Sequence, residues 1–388
     1  MSSNRKIALL TVGRSDLGLY ETIINLIEND PELDLQLLVT GSHFDSRFGN
    51  SVEEIEKKGI NYTKGLEMLL SSDSPQALGK SMGLGVISIS QAFAEKKPDI
   101  LLVLGDRVEM ICGPLAAINF NIPICHIHGG AVTEGAVDDM IRHAITKMSH
   151  LHFVSSEVYK NRVIQMGEES WRVFNYGAPG LDRIDKKKLL NKDEISGKLN
   201  IDLNNPTILV TFHPVTLELK DKEIQIENLL SALDKFTYQK IITYPNNDVG
   251  NEYIIQKINE YKSKYPEKVV LLKNAGNLMY LSLLNNVTMM VGNSSSGIVE
   301  AASFGLPVIN IGTRQKGKVE PPNVITTTYE IDSIVEAMKI AYENSISQKF
   351  KNLINPYGDG KASERIVNKL KTIQINNELI RKKFIDIN

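Results

Sequence analysis

The residues able to do chemistry in this chain sit in short runs, each directly after an apolar stretch. Gly13-Arg14-Ser15-Asp16 is the first. An arginine there offers a planar fork that matches a phosphate, while Asp16 either caps the following helix or faces the same ligand. Leu104-Gly105-Asp106-Arg107 places a carboxylate after a glycine that allows close backbone approach. His126-Ile127-His128-Gly129-Gly130 holds two imidazoles two residues apart, on one face if the strand runs through both. No third ligand follows at useful spacing, so proton transfer by one of the pair is expected over a metal site. In Asp138-Asp139-Met140-Ile141-Arg142-His143, Asp138 and Arg142 are four residues apart and share a helix face. They make either a surface ion pair or a carboxylate held by arginine at a cleft. Carboxylates and imidazoles converging on one cleft suit proton abstraction and return.

The second half carries groups suited to a diphosphate. His213-Pro214-Val215-Thr216 closes a strand, because Pro214 cannot simply extend it. His213 then points from the strand end, to hold a phosphate oxygen or to protonate a leaving diphosphate, unless it is a core histidine. Val291-Gly292-Asn293-Ser294-Ser295-Ser296-Gly297 follows a strand and opens a helix, where free N–H groups and hydroxyls face an anion. No Gly-Lys-Ser/Thr ends this loop and no GxGxxG is present, which disfavours ATP hydrolysis and dinucleotide binding. Glu300 is placed to accept from ribose hydroxyls, and Gly312-Thr313-Arg314 offers a further cation.

These runs must be positioned by strands and helices. Strands are predicted at 6–12, 34–40, 100–104, 122–127 and 151–154, then at 207–212, 240–243, 269–272, 288–291 and 308–311. Amphipathic stretches such as 19–28 and 81–95 lie between them. That alternation means βαβ units and parallel sheets. The fold class is therefore α/β, with two Rossmann-like doubly wound domains facing an interdomain cleft. The first is expected over residues 1–185 and the second over 186–364, divided where Lys, Asp, Asn and Ser dominate near Asn204-Asn205-Pro206. A Lys- and Ile-rich helix over 365–388 is a candidate to return to the first domain. At 388 residues, 42% hydrophobic and 23% charged, the chain has the composition of a globular protein large enough to need no staples. Its net charge of -2 argues against a nucleic-acid partner. No apolar run is long enough to cross a membrane. Cys112 and Cys125 form no CxxC pair, which fits a reducing, cytoplasmic setting.

Taken in order, Gly13-Arg14-Ser15-Asp16, Gly105-Asp106-Arg107, His126-Ile127-His128-Gly129-Gly130, Asp138 to Lys147, His213 to Thr216, Gly292 to Gly297 and Gly312-Thr313-Arg314-Gln315 resemble the hydrolysing UDP-N-acetylglucosamine 2-epimerases, most of all the bacterial sialic-acid-type branch. The resemblance runs to about Arg314. It implies a glycosyltransferase-B-like pair of domains, a homodimer, and a reaction without metal or nicotinamide. A base removes the C2 proton as UDP leaves C1, giving a 2-acetamidoglycal; water then adds with inverted C2 stereochemistry to give N-acetylmannosamine. Carried over by position, the resemblance makes Asp106, Asp138 and Arg142 catalytic and puts His213 at the diphosphate. It makes Arg14, Ser294, Ser295, Glu300 and Arg314 UDP contacts, with Arg107 and Asn246 beside them.

The chain departs from the family pattern at His128, where many members have Glu, and at Ala131, where a further acid often stands. Histidine is still an acid/base near neutral pH. The change fits a branch acting on UDP-N,N′-diacetylbacillosamine, the alternative substrate. Two rival readings are a glycosyltransferase of the same architecture and a non-catalytic UDP-sugar sensor. Neither needs Asp106, His128, Asp138 and Arg142 together.

Overall fold

The computed structural model describes residues 4–45, 51–72, 74–132, 137–215, 218–245 and 250–386. Contacts divide the chain into two compact units, Met1–Arg183 with Tyr357–Asn388, and Ile184–Pro356.

The first unit is built on β1 (Arg5–Thr11), β2 (Leu33–Val39), β3 (Tyr62–Thr63), β4 (Ile100–Leu104), β5 (Ile124–Ile127), β6 (Leu151–Val154) and β7 (Val173–Asn175). They form one sheet in the order β3-β2-β1-β4-β5-β6-β7, and every ladder is parallel. Central strands such as Ile100-Leu101-Leu102-Val103-Leu104 are apolar throughout because helices cover both faces. On one face Ile7 and Leu9 pack with Tyr20, Ile23 and Ile27 of the helix Arg14–Glu28. On the other, Ala8 and Leu10 pack with Phe93, Met110 and Cys112.

The second unit contains β8 (Thr207–Thr211), β9 (Gln239–Thr243), β10 (Val269–Leu272), β11 (Met289–Gly292), β12 (Val308–Ile311) and β13 (Val324–Thr327). Their order is β10-β9-β8-β11-β12-β13, again all parallel. Each sheet is thus doubly wound. Strand order reverses between β1 and β4 in one unit and between β8 and β11 in the other. Ligands of such sheets bind beyond the carboxyl ends at that reversal.

All ten strands expected from sequence are present, with ends moved by two residues at most. The three not expected, β3, β7 and β13, are short edge strands that are largely half-buried, so their sequences lack a long apolar run.

Residues beyond 357 return to the first unit. The helix Ala362–Thr372 packs along Arg14–Glu28, and Ile366, Val367 and Leu370 join that core. Arg5 donates to the carbonyls of Leu370 (2.7 Å) and Lys371 (2.6 Å). The tail helix expected over 365–388 is instead this helix and a short one at Asn377–Ile380. Arg172, 1% exposed, donates to the carbonyls of Glu378 and Leu379. Lys382 meets the buried Glu168 together with Lys147 and His152. Among the described residues no helix is long and apolar enough to cross a membrane.

Candidate active site

In the first unit the predicted residues gather around the strand reversal. β4 ends at Leu104, and Gly105, at φ +75°, turns the chain so that Asp106 follows at the sheet edge. The Asp106 carboxylate pairs with the guanidinium of Arg142, which is buried and projects from the helix Val137–Met148. Arg142 also donates to Asp139 Oδ1 (2.7 Å) and to the carbonyl of Ala131 (2.9 Å). Burial lowers its pKa to about 10, so it stays cationic at neutral pH. The ion pair expected between Asp138 and Arg142 runs instead to Asp139, one residue on. At three residues' spacing Asp139 lies under the guanidinium, while half-buried Asp138 sits in the first turn of the same helix.

The two histidines at the end of β5 part company. The strand stops at Ile127, and His128 takes a left-handed φ of +67°, so strand alternation does not reach it and the expected shared face is lost. His126 is fully buried. Its Nε2–H donates to the Gly105 carbonyl at 2.8 Å, and its Nδ1 lies 3.2 Å from the Thr146 hydroxyl, whose single proton serves either that nitrogen or the Arg142 carbonyl 2.9 Å away. Since a carbonyl only accepts, the ring proton resides on Nε2. Burial drives the His126 pKa down to about 3, so this imidazole is neutral at neutral pH. A closed circuit results: Asp106, Arg142, Thr146, His126, Gly105 and back to Asp106. Thr146 lay unmarked inside the run Asp138 to Lys147, and the part played by His126 could not be read from the His126-Ile127-His128 spacing. His128, half-buried and strained, is the imidazole at the edge, and strain of this kind gathers at functional positions.

The loop after β1 sits beside this circuit. Arg14 is exposed and pairs with Glu54 at 3.0 Å. Asp16 is buried and accepts from the Val12 N–H (3.3 Å) and the Ser15 hydroxyl (3.2 Å). It does not cap the helix, whose first residue follows the extended Gly13. Burial raises the Asp16 pKa to about 6, against the pull of Arg107. Arg107 is exposed, lies 3.7 Å from Glu109, and faces Gly13.

In the second unit, β8 and β11 flank the reversal. Gly292 closes β11 at φ +143°, where a Cβ would stand 1.9 Å from the Thr211 carbonyl oxygen, so only glycine fits. Asn293 then clasps the β8 end: its Oδ1 accepts from the His213 N–H (2.7 Å) and its Nδ2 donates to the His213 carbonyl (2.8 Å). Ser294 caps the helix Ser295–Val299, accepting from the Ser296 N–H. Half-buried Glu300 ends that helix. Arg314 and Gln315 both donate to the Asn293 carbonyl, at 3.3 and 2.7 Å. The His213 pKa is lowered to about 4, first by burial and then by Arg314. Arg314 therefore carries the positive charge at this edge. Tyr280 is half-buried; its hydroxyl is shut away from solvent and made less acidic by that burial, close to Ser296, Glu300, Thr211 and Ser294. Sequence gave no signal for it. Asn246 and Thr216 lie outside the described residues.

The family model described as UDP-N-acetylglucosamine 2-epimerase matches residues 25–371. The chain belongs to that family. Among similar relatives is the GDP/UDP-N,N′-diacetylbacillosamine 2-epimerase (hydrolyzing) of Campylobacter jejuni, 39% identical over 99% of this chain and 100% of its own length. The UDP-N,N′-diacetylbacillosamine 2-epimerase (hydrolyzing) of Legionella pneumophila is 37% identical over 97% and 98%. The solved UDP-GlcNAc 2-epimerase of Neisseria meningitidis bound to UDP-GlcNAc shares the fold, with a TM-score of 0.76, 20% identity, and coverage of 94% of this chain and 99% of that one. One strand reversal holds carboxylates and an imidazole, the other a Ser-rich loop with Arg314.

Proposed function

We propose that this 2-epimerase is hydrolysing: it removes UDP from a UDP-linked 2-acetamido sugar and returns the C2 epimer as free sugar. The observation that carries the reading is Asp106 fixed by the buried Arg142 at the strand reversal, with His128 at the neighbouring strand end. A fixed carboxylate loses little freedom on reaching its proton, which favours transfer at carbon. The C2 proton leaves as the C1–O bond to UDP breaks, giving a 2-acetamidoglycal. Water then adds at C1 while a proton returns to C2 from the opposite face. We assign the two proton transfers to Asp106, His128 and Asp138, and the orientation of Asp106 to Arg142. On the second unit, Ser294, Ser295, His213 and Arg314 hold the diphosphate and Glu300 the ribose. Arg14, Asp16, Arg107 and Asn246 complete the set. The charge on Arg314 stabilises the diphosphate as it departs.

For the sugar, we favour UDP-N,N′-diacetylbacillosamine over UDP-N-acetylglucosamine. Support comes from the two relatives of that name, each at more than a third identity along nearly the whole chain, and from His128 in place of Glu. The test is proton NMR in D2O with each nucleotide-sugar. Free UDP and a C2-deuterated epimer are expected. Epimerised sugar still linked to UDP would refute hydrolysis. Asp106→Asn should abolish turnover while UDP still binds; unchanged turnover removes Asp106 from the mechanism.

A further inference from the structure

We propose that a pocket beyond β2 and β3 seats the C4 and C6 substituents of the sugar and selects a 4-acetamido-6-deoxy sugar over a 4,6-dihydroxy one. The inference rests on the epimerase reading above. The pocket measures about 410 Å³ and lies wholly on the first unit. Phe44, Met68, Leu69 and Leu70 give it apolar walls, and Asp45 and Glu67 stand among them. None of its described lining residues is cationic, so it is unsuited to a diphosphate. It suits a neutral group combining a methyl with an N–H donor. A 4-acetamido group offers both, and a 6-deoxy carbon adds a second methyl. A 4,6-dihydroxy sugar would bring hydroxyls against the same apolar walls, a desolvation that hydrocarbon does not offset.

The walls are set in place before any ligand arrives. The Thr40 hydroxyl donates to the Leu66 carbonyl, and the Ser81 hydroxyl accepts from the Leu70 N–H at 3.0 Å. Met68 rests against Gly85 and Cys112, and Phe44 leans on the Tyr62 ring.

Position supports the assignment. Thr11 pairs with Val39, and Leu9 pairs with Leu102, so the ends of β2, β1 and β4 are level. Neighbouring strands lie about 4.8 Å apart, which sets the β2 end roughly 10 Å from the turn that carries Asp106. Gly13 bridges the interval, facing Ser42 on one side and Arg107 on the other. From C2 of a pyranose to the methyl of a 4-acetamido group is five bonds, about 6 Å extended. Adding a van der Waals contact of ~4 Å brings the methyl to the pocket when C2 is at Asp106.

The experiment compares kcat/KM for UDP-N,N′-diacetylbacillosamine and UDP-N-acetylglucosamine, by UDP release, in the wild type, Leu70→Gln and Phe44→Ser. Leu70 is 37% exposed, so its polar replacement leaves the fold intact. One methyl in an apolar pocket is worth about 10- to 200-fold in discrimination. The wild type should prefer the diacetamido substrate, and each variant should lower the ratio of the two constants by about tenfold or more. A ratio unmoved in both variants would overturn the pocket and leave the epimerase standing. A wild type that turns over only the dihydroxy sugar would do the same. No turnover of either substrate by protein that binds UDP would overturn the epimerase reading and the pocket with it.

Discussion

Replacing His126 by Asn tests the hydrogen-bonded circuit behind Asp106. An asparagine amide reaches the place of Nδ1 but not that of Nε2. It keeps the contact with Thr146 and strips the Gly105 carbonyl of its 2.8 Å donor. An unpaired polar group in such surroundings costs about 1–3 kcal/mol, so the melting temperature should fall. The Gly105 turn is then free to shift, and Asp106 shifts with it. A displacement near 1 Å at a reacting group costs about 100-fold. We expect kcat to drop about 10- to 100-fold in a UDP-release assay. KM should stay within about twofold, because the diphosphate contacts are assigned to the other unit. His126→Gln places an amide N–H near Nε2 and should recover most of the lost kcat. The pH–rate profile should keep its acid limb in both variants, since His126 is neutral throughout that range. The reasoning fails if His126→Asn retains wild-type kcat, if kcat stays low in the Gln variant although stability returns, or if the acid limb moves.

Other outcomes follow from the same structure. Gly292→Ala would drive a Cβ into the Thr211 carbonyl, backbone against backbone; we expect a loss of at least about 3 kcal/mol, read by chemical denaturation, with little folded protein recovered. Stability should fall as pH drops from about 6.5 towards 4. His43 and His213, each lowered to about 4, and His126, lowered to about 3, bind protons more readily when unfolded than folded across that window. Asp16 opposes them: its raised pKa of about 6 means stability lost as pH climbs from 3.8 through 6. These three imidazoles, joined by His150, also lowered to about 4 by burial, outweigh one carboxyl, and melting temperatures from pH 4 to 7.5 check the sign. Asp16→Asn should raise the melting temperature at pH 7 by relieving a penalty of up to about 3 kcal/mol.

Much of this was legible in the residues, and the exceptions share a cause. Ile100–Leu104 could be read to the residue because a strand covered on both faces is apolar from end to end. The Ser-rich loop and Asp106 were found because they follow such strands. What escaped depends on backbone detail that periodicity does not encode. The left-handed turn at His128 separates two histidines that alternation would place together. The choice of Asp139 over Asp138 hangs on a fraction of a helical turn. Tyr280 stands in the helix Gly276–Asn286, whose pattern marks no site, and only the fold brings it close to Ser294 and Ser296. Edge strands β3, β7 and β13 had too few buried residues to stand out.

The return of residues 357–388 to the first unit has a consequence for how the chain comes to be folded. Synthesis runs from the amino end, and domains commonly fold in the order they emerge. Here the unit begun first is finished last. Its core awaits Ile366, Val367, Leu370 and Leu379, and its buried Glu168 awaits Lys382. Residues 184–356 form a continuous unit and can close while the earlier strands still lack their final helix. A nascent chain halted within the codons for residues 357–388 would therefore carry a folded second unit and an open first unit, with apolar faces bare to whatever chaperone or neighbour meets them.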